Sequence, residues 1–128
     1  MTYRNLLTIS SIIAAIFGLG FILMPGQLVS FYNVQLTGAG ILIAQLYGGT
    51  LFSFGLLNWS ARDFRDAPVR QAILTANLVG DALGSIFSLM GQLGGVPEIN
   101  ALGWSTVLLY LLLTLGYAYL RFFASRMG

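Results

Sequence analysis

The sequence contains no cysteine and no histidine. These two residue types supply most of the protein ligands of zinc and haem, and most of the activated nucleophiles and bases of enzymes. Their absence argues against a metal site, a haem bound through histidine, thiol redox chemistry and a Ser-His-Asp triad. We therefore predict no catalytic residue, no metal and no bound cofactor, and we expect the protein not to be an enzyme.

Charge is also scarce, since only 8% of the 128 residues are charged. Ordinary soluble domains carry roughly 25% charged residues, so a soluble fold of this length could not cover its surface. The net charge is only +2, and the six basic residues are divided among three segments of the chain. The basic residues therefore form no patch that could bind along the phosphate backbone of a nucleic acid, and we expect no nucleic-acid partner.

Hydrophobic residues make up 57% of the chain and are concentrated in four long runs. A helix of about 20 apolar residues is long enough to cross the hydrocarbon core of a bilayer. The first run follows Arg4 and could be a cleavable signal peptide, but no Ala-x-Ala cleavage pattern comes after it. The sequence thus predicts one all-α transmembrane domain, a four-helix bundle with spans over residues 6–24, 41–61, 72–93 and 102–122.

The arginines predict the orientation of this bundle. Cytoplasmic loops of membrane proteins carry an excess of basic residues, and an even number of spans collects every arginine of this chain on one side. Both termini are therefore expected in the cytoplasm. The loop between the second and third spans could also bind anionic lipid headgroups or a soluble partner. The arginines are Arg4, the predicted cytoplasmic anchors Arg62, Arg65 and Arg70, and Arg121 and Arg126.

Two local patterns predict further helix boundaries. Residues 26–32 are too apolar for a free loop and too short to cross a bilayer, so we expect a short helix in the outer interface, or a segment that merely caps the bundle. Asp66 is a suitable N-cap for the third span, and Pro68 suits its first turn because the missing N–H costs nothing there.

The third span carries polar residues on one helical face, since they are spaced by four, four, three and four positions. Asp81 lies near mid-membrane, where an ionised carboxylate costs about 2.5 to 3.5 kcal/mol on insertion scales. No basic residue lies within any span, so we expect Asp81 to carry a proton at neutral pH. The residues of this face are Asn77, Asp81, Ser85, Ser88 and Gln92.

Counting depth from the cytoplasmic ends predicts partners for this face. The expected hydrogen-bond partners of Asp81, which lie at roughly its level, are Thr50, Ser53, Tyr110 and Thr114. The same count matches Asn77 with Ser10, Ser11 and Tyr117, and Gln45 with Ser88. The resulting polar seam either holds the helices together by hydrogen bonds or forms a proton-handling or ligand-binding site. The predicted seam comprises Asp81, Asn77, Ser85, Ser88, Gln45, Ser53, Thr114 and Tyr110.

Several glycines lie within the predicted spans, where the lack of a side chain leaves a gap in the helix surface. Gly80 and Gly84 form a Gly-x-x-x-Gly step, and Gly48 and Gly49 lie within the second span. Small residues of this kind let membrane helices approach closely, so we predict that all four serve helix packing. The same gaps could instead form an oligomer interface.

Several short motifs resemble those of a family of small bacterial four-span membrane proteins of unassigned function, distantly similar to the DoxX-like proteins. The resemblance covers nearly the whole chain and implies a multi-pass protein of the bacterial cytoplasmic membrane. DoxX-like proteins are associated with respiratory or quinone-linked assemblies, which implies a helper subunit. The motifs are Leu23-Met-Pro25, Leu46-Tyr-Gly-Gly49, Gly55-Leu-Leu-Asn-Trp59-Ser-Ala-Arg62, Asp81-Ala-Leu-Gly84 and Asn100-Ala-Leu-Gly-Trp104.

Three functions are compatible with these observations. The first is a non-enzymatic accessory or scaffold subunit of a larger respiratory or photosynthetic membrane complex, or a holder of a lipophilic molecule. Such a protein would have the lipid bilayer and other membrane subunits, or further copies of itself, as partners. The second is a small transporter or proton-coupled carrier that uses Asp81. The third is a membrane enzyme acting on lipid or quinone, with Asp81 and Tyr110 or Tyr117 as acid and base.

Overall fold

A computed structural model describes residues 2–96 and 99–123, and every regular element in this part of the chain is helical. Four of the helices are long and apolar enough to cross a membrane. The prediction of an all-α four-helix bundle is therefore confirmed, and many large apolar side chains on its outer surface suit a lipid environment. The helices are α1 (Tyr3–Leu23), α2 (Pro25–Ser30), α3 (Gly38–Ala61), α4 (Ala67–Met90) and α5 (Gly103–Phe122).

Local sequence explains both ends of α4. The Asp66 carboxylate accepts a hydrogen bond from the backbone N–H of Val69 at 3.3 Å, and Pro68 lies in the first turn, as the sequence predicts. At its other end α4 continues into a π-helical turn over Gly91–Gly95. Gly94 has φ +129°, a backbone conformation that side chains with a Cβ rarely adopt, and this residue ends the helix.

The long helices pack as two antiparallel pairs, α1 with α3 and α4 with α5. In the first pair, glycines allow close backbone approach, because a Cβ added to Gly48 would lie 2.7 Å from the carbonyl oxygen of Gly18. In the second pair, the ring of Tyr110 lies directly against Gly84. These contacts are the small-residue packing that membrane helices use in place of hydrophobic association.

Gly49 and Gly80 depart from the packing prediction. Among the described residues no atom outside their own helix lies within 4 Å of a Cβ added at either position. Gly49 follows Gly48 by one position and is therefore rotated by about 100° around α3, away from α1. Of the four predicted packing glycines, Gly48 and Gly84 thus lie in helix contacts within the bundle and the other two do not.

The two helix pairs meet chiefly at the end of the bundle that carries the arginines, which we call the arginine end. Here Arg62 stacks over the ring of Trp59 at 3.7 Å, Arg4 pairs with Asp63, and Arg65 is exposed. Arg126 lies outside the described residues. The buried apolar cluster at this end consists of Tyr3, Leu6, Leu7, Ala61, Leu74, Tyr117 and Leu120.

At the opposite end, which we call the far end, Asn100 ties the two pairs together. Its side-chain amide donates to the carbonyl of Phe31 at 3.0 Å, and its backbone N–H donates to the carbonyl of Tyr32 at 3.1 Å. Gln92 donates in turn to the carbonyl of Asn100 at 3.1 Å. The short helix α2 also lies at this end, at the place where the sequence predicts one.

Candidate binding cavity

A cavity of about 390 Å³ lies between the two helix pairs, and residues of all four long helices line it. Its size falls within the range of about 300 to 1,000 Å³ that is typical of small-molecule sites. The two pairs contact each other at the arginine end and are tied together at the far end, and the cavity lies between these two regions.

Four buried polar residues, one from each long helix, form a polar floor at the arginine end of the cavity, in which Ser10, Asn58 and Asn77 line the cavity and Tyr117 bonds to Ser10. Asn58 of α3 and Asn77 of α4 exchange two hydrogen bonds of 2.9 Å, each amide nitrogen donating to the other oxygen. The hydroxyls of Ser10 of α1 and Tyr117 of α5 also share a hydrogen bond. All four residues are at most 6% exposed, so this polar floor connects the two helix pairs by side-chain hydrogen bonds.

Asp81 lies one helical turn beyond Asn77 and lines the cavity. Its backbone carbonyl accepts a hydrogen bond from Ser85 at 2.9 Å. Within residues 2–96 and 99–123, its carboxyl group has no hydrogen bond and no ion pair with another side chain. The structure thus places an acid in the cavity with its polar atoms available to a further group.

The predicted partners of Asp81 lie elsewhere. Thr50 and Ser53 are exposed on the surface of α3, because their positions on that helix point away from the interior. Thr114 shares a hydrogen bond of 3.2 Å with Ser85, and Tyr110 shares one of 2.7 Å with Tyr47. The seam prediction is therefore corrected at Ser53, and Thr114 and Tyr110 belong to hydrogen bonds that do not include Asp81.

The predicted match of Gln45 with Ser88 also does not form. The amide of Gln45 donates to the backbone carbonyl of Ile22 at 3.3 Å, on the exposed side of the α1–α3 pair. The hydroxyl of Ser88 donates to the backbone carbonyl of Ser85 at 3.3 Å. Each of these two side chains donates its hydrogen bond to a backbone oxygen, and neither of them lines the cavity.

Aromatic rings dominate the middle and far end of the cavity wall. Phe21 meets Tyr47 edge to face, with ring centroids 5.2 Å apart, and Tyr47 bonds to Tyr110 across the bundle. At the far end the hydroxyl of Thr106 donates to that of Tyr32 at 3.4 Å. Phe17 and Phe54 complete the aromatic lining, together with aliphatic residues such as Ile13, Leu51, Leu109 and Leu113.

The sequence-based predictions missed Asn58 and Tyr47 as residues that line the cavity. Asn58 lies three residues after Gly55 and ten after Gly48, and these spacings put all three on one face of α3. Because glycines notch the packed face of a membrane helix, Gly48 and Gly55 could have identified Asn58 as the interior polar residue. Tyr47 precedes Gly48 at the edge of this face, and no comparable signal marks it.

In the described part of the chain, no three Asp, Glu, His or Cys residues come together in a way that could hold a metal ion. The cavity instead offers an apolar, aromatic wall, a fully hydrogen-bonded floor and one carboxyl group. In comparisons with known proteins, no family model matches this chain, and no curated protein or solved structure gives a significant match.

Proposed function

We propose that this membrane protein holds a lipophilic small molecule in the cavity between its two helix pairs, without chemically changing it. The observation that carries the proposal is an apolar cavity of about 390 Å³ that contains one carboxyl group with no hydrogen-bonding partner among the described residues. Small-molecule sites typically combine a predominantly hydrophobic wall with a few polar groups that fix the orientation of the ligand.

A purely structural role for the polar residues explains the floor but not Asp81. The amide pair of Asn58 and Asn77 and the bond between Ser10 and Tyr117 each connect one helix pair with the other, which is what interhelical hydrogen bonds do in membranes. The carboxyl group of Asp81 makes no such bond among the described residues. A costly intramembrane acid without a structural partner favours a ligand-binding role.

The surroundings of the cavity favour entry of the ligand from the bilayer. The polar floor bounds one end, and hydrogen bonds through Asn100 tie the loops of the other end together. A molecule that reaches the cavity between the helices would come from lipid, where lipophilic compounds concentrate. This route suits a protein whose helices expose many large apolar side chains on the outer surface.

The wider setting follows from the sequence resemblance, which supports an accessory role beside larger subunits in a bacterial cytoplasmic membrane. A proton-coupled carrier is the second candidate, and the unpartnered carboxyl group of Asp81 favours it. An enzyme acting on lipid or quinone is less well supported, because the hydroxyls of Tyr110 and Tyr117 are each engaged by another side chain.

Mass spectrometry of everything that copurifies with the protein in a mild detergent tests the proposal. We expect a lipophilic compound to copurify with the wild type. It should be lost from Leu51→Trp, which fills the cavity, and retained by Leu46→Trp, which alters a lipid-facing residue that is 64% exposed on the same helix. If the wild type carries no such compound, or if both variants retain it equally, the proposal fails. Larger membrane subunits in the same sample would support the accessory role.

A further inference from the structure

The polar side chains of the cavity differ in whether another residue of the protein already forms a hydrogen bond with them. The amides of Asn58 and Asn77 satisfy each other, and the hydroxyls of Tyr47 and Tyr110 are paired. Asp81 is the exception, since nothing in the described part of the chain donates a hydrogen bond to its carboxyl group. A ligand therefore gains most in this cavity by presenting a group that complements an acid.

Within the part of the chain that the structure describes, no positively charged side chain lies at this position. The described arginines lie at the arginine end, where Arg62 stacks on Trp59, Arg70 lies 4.3 Å from the ring of Tyr3, and Arg121 donates to Thr75. None of them lines the cavity. We expect Asp81 to be protonated in the empty cavity and to release its proton when a cation binds, because an ionised carboxylate attracts a cation strongly in this low-dielectric setting. The same negative charge disfavours an anionic ligand.

The aromatic wall reinforces this preference. Phe17, Phe21, Tyr47, Phe54 and Tyr110 all line the same cavity as Asp81. The faces of aromatic rings attract cations, and rings around a desolvated ammonium group are a recurrent means of recognising organic cations. The acid and the aromatic rings of this one cavity thus make two independent contributions, and both favour a cationic ligand.

We propose that the ligand of this cavity is a lipophilic organic monocation, such as a substituted ammonium compound, whose charged centre lies beside Asp81 among the aromatic side chains. This inference rests on the proposed function and specifies the class of ligand. The single carboxyl group matches one positive charge. A metal cation fits poorly, because its usual oxygen ligands are several carboxylates, carbonyls and waters, and the wall here is mainly apolar.

The test compares benzyltrimethylammonium with neopentylbenzene, in which a carbon atom replaces the charged nitrogen without changing the shape. The protein is reconstituted into nanodiscs of zwitterionic phosphatidylcholine, and binding is followed by NMR of the leucine methyl groups of Leu51, Leu109 and Leu113 in the cavity wall. We expect the cation to bind at least about tenfold more tightly than its neutral isostere. This preference should be greatly reduced in Asp81→Asn, where only the aromatic rings still favour the cation, and should persist in Asp81→Glu.

Asp63→Asn is the matched control, because it removes the same charge from the exposed loop at the arginine end. It should leave the preference for the cation unchanged, and circular dichroism checks that every variant keeps its helices. Equal affinities for the two compounds would overturn the cationic class while leaving the proposed function intact. Failure of both compounds to shift the methyl signals would overturn the proposed function as well. A preference that is as large in folded Asp81→Asn as in the wild type would remove Asp81 from the site.

Discussion

The amide pair in the cavity floor yields a quantitative prediction for stability. Asn58 and Asn77 are 1% and 3% exposed and exchange two hydrogen bonds of 2.9 Å. Interhelical hydrogen bonds in membrane proteins contribute on average about 0.6 kcal/mol each, so the two bonds contribute about 1.2 kcal/mol. Replacing one partner also leaves the other amide incompletely bonded, which adds about 1 kcal/mol. Asn58→Ala and Asn77→Ala should therefore each lower the free energy of unfolding by about 2 kcal/mol.

The double variant should cost much less than the sum of the two single variants. The same two bonds are lost only once, and no amide is left without its partner. We expect a total loss of about 1 kcal/mol, from the two bonds alone, rather than about 4 kcal/mol, which gives a coupling energy of about 3 kcal/mol between the two sites. Such a value lies within the range of about 0.5 to 3 kcal/mol observed for residues in direct contact.

Unfolding in mixed micelles, driven by sodium dodecyl sulfate and followed by circular dichroism, measures these free energies. Ser53→Ala is the control, because Ser53 lies on α3 with Asn58 but is exposed. It should change stability by less than about 0.5 kcal/mol and should be additive with Asn77→Ala. Additivity of Asn58→Ala and Asn77→Ala within about 0.5 kcal/mol would refute the reciprocal amide pair.

Three further predictions address packing, capping and orientation. Gly48→Ala should lower the stability of the bundle by about 1 to 3 kcal/mol, because the new Cβ would meet the backbone of α1. Gly49→Ala is the control and should not lower it, since a Cβ there meets no atom outside α3 within 4 Å in the part of the chain that the structure describes. Equal effects of the two variants in the same unfolding assay would contradict this packing. Asp66→Ala should cost about 1 kcal/mol in that assay through loss of the N-cap of α4, and an unchanged midpoint would contradict the cap. A reporter inserted after Gln35 should be active only outside the cytoplasm and one after Phe64 only inside, and the reverse pattern would contradict the orientation.

The helices could be predicted from the sequence because the length and hydropathy of a run decide whether it crosses a bilayer. The interior face of α4 could also be predicted, since Asn77, Asp81 and Ser85 repeat at intervals of four and line one side of a helix. Burial agrees for this helix, where Asn77 is buried and the other two are partly buried. The proposed ligand and the partners of the protein have no comparable signal in the sequence.

The interior face of α3 could not be predicted in the same way, because this helix is apolar on every side and its polar residues follow no single face. Gln45, Thr50 and Ser53 are exposed, while Asn58 is 1% exposed. Counting residues from the end of a helix gives the depth of a side chain in the membrane but not the direction in which it points. Polar side chains can tolerate a lipid-facing position when they bond to a nearby backbone oxygen, as Gln45 does.

The difference between depth and direction decides how the mid-membrane acid should be interpreted. A buried polar side chain holds helices together only when another helix presents a suitable group at the same depth and in the same direction. Asn77 meets both conditions, because Asn58 faces it across the floor. Asp81 lies one turn further along the same face, where Tyr110 is bonded to Tyr47 and Ser53 points to the outside. Two polar residues four positions apart on one helix therefore differ in role, because the surrounding helices supply a hydrogen-bonding partner to the first and leave the second open to the cavity.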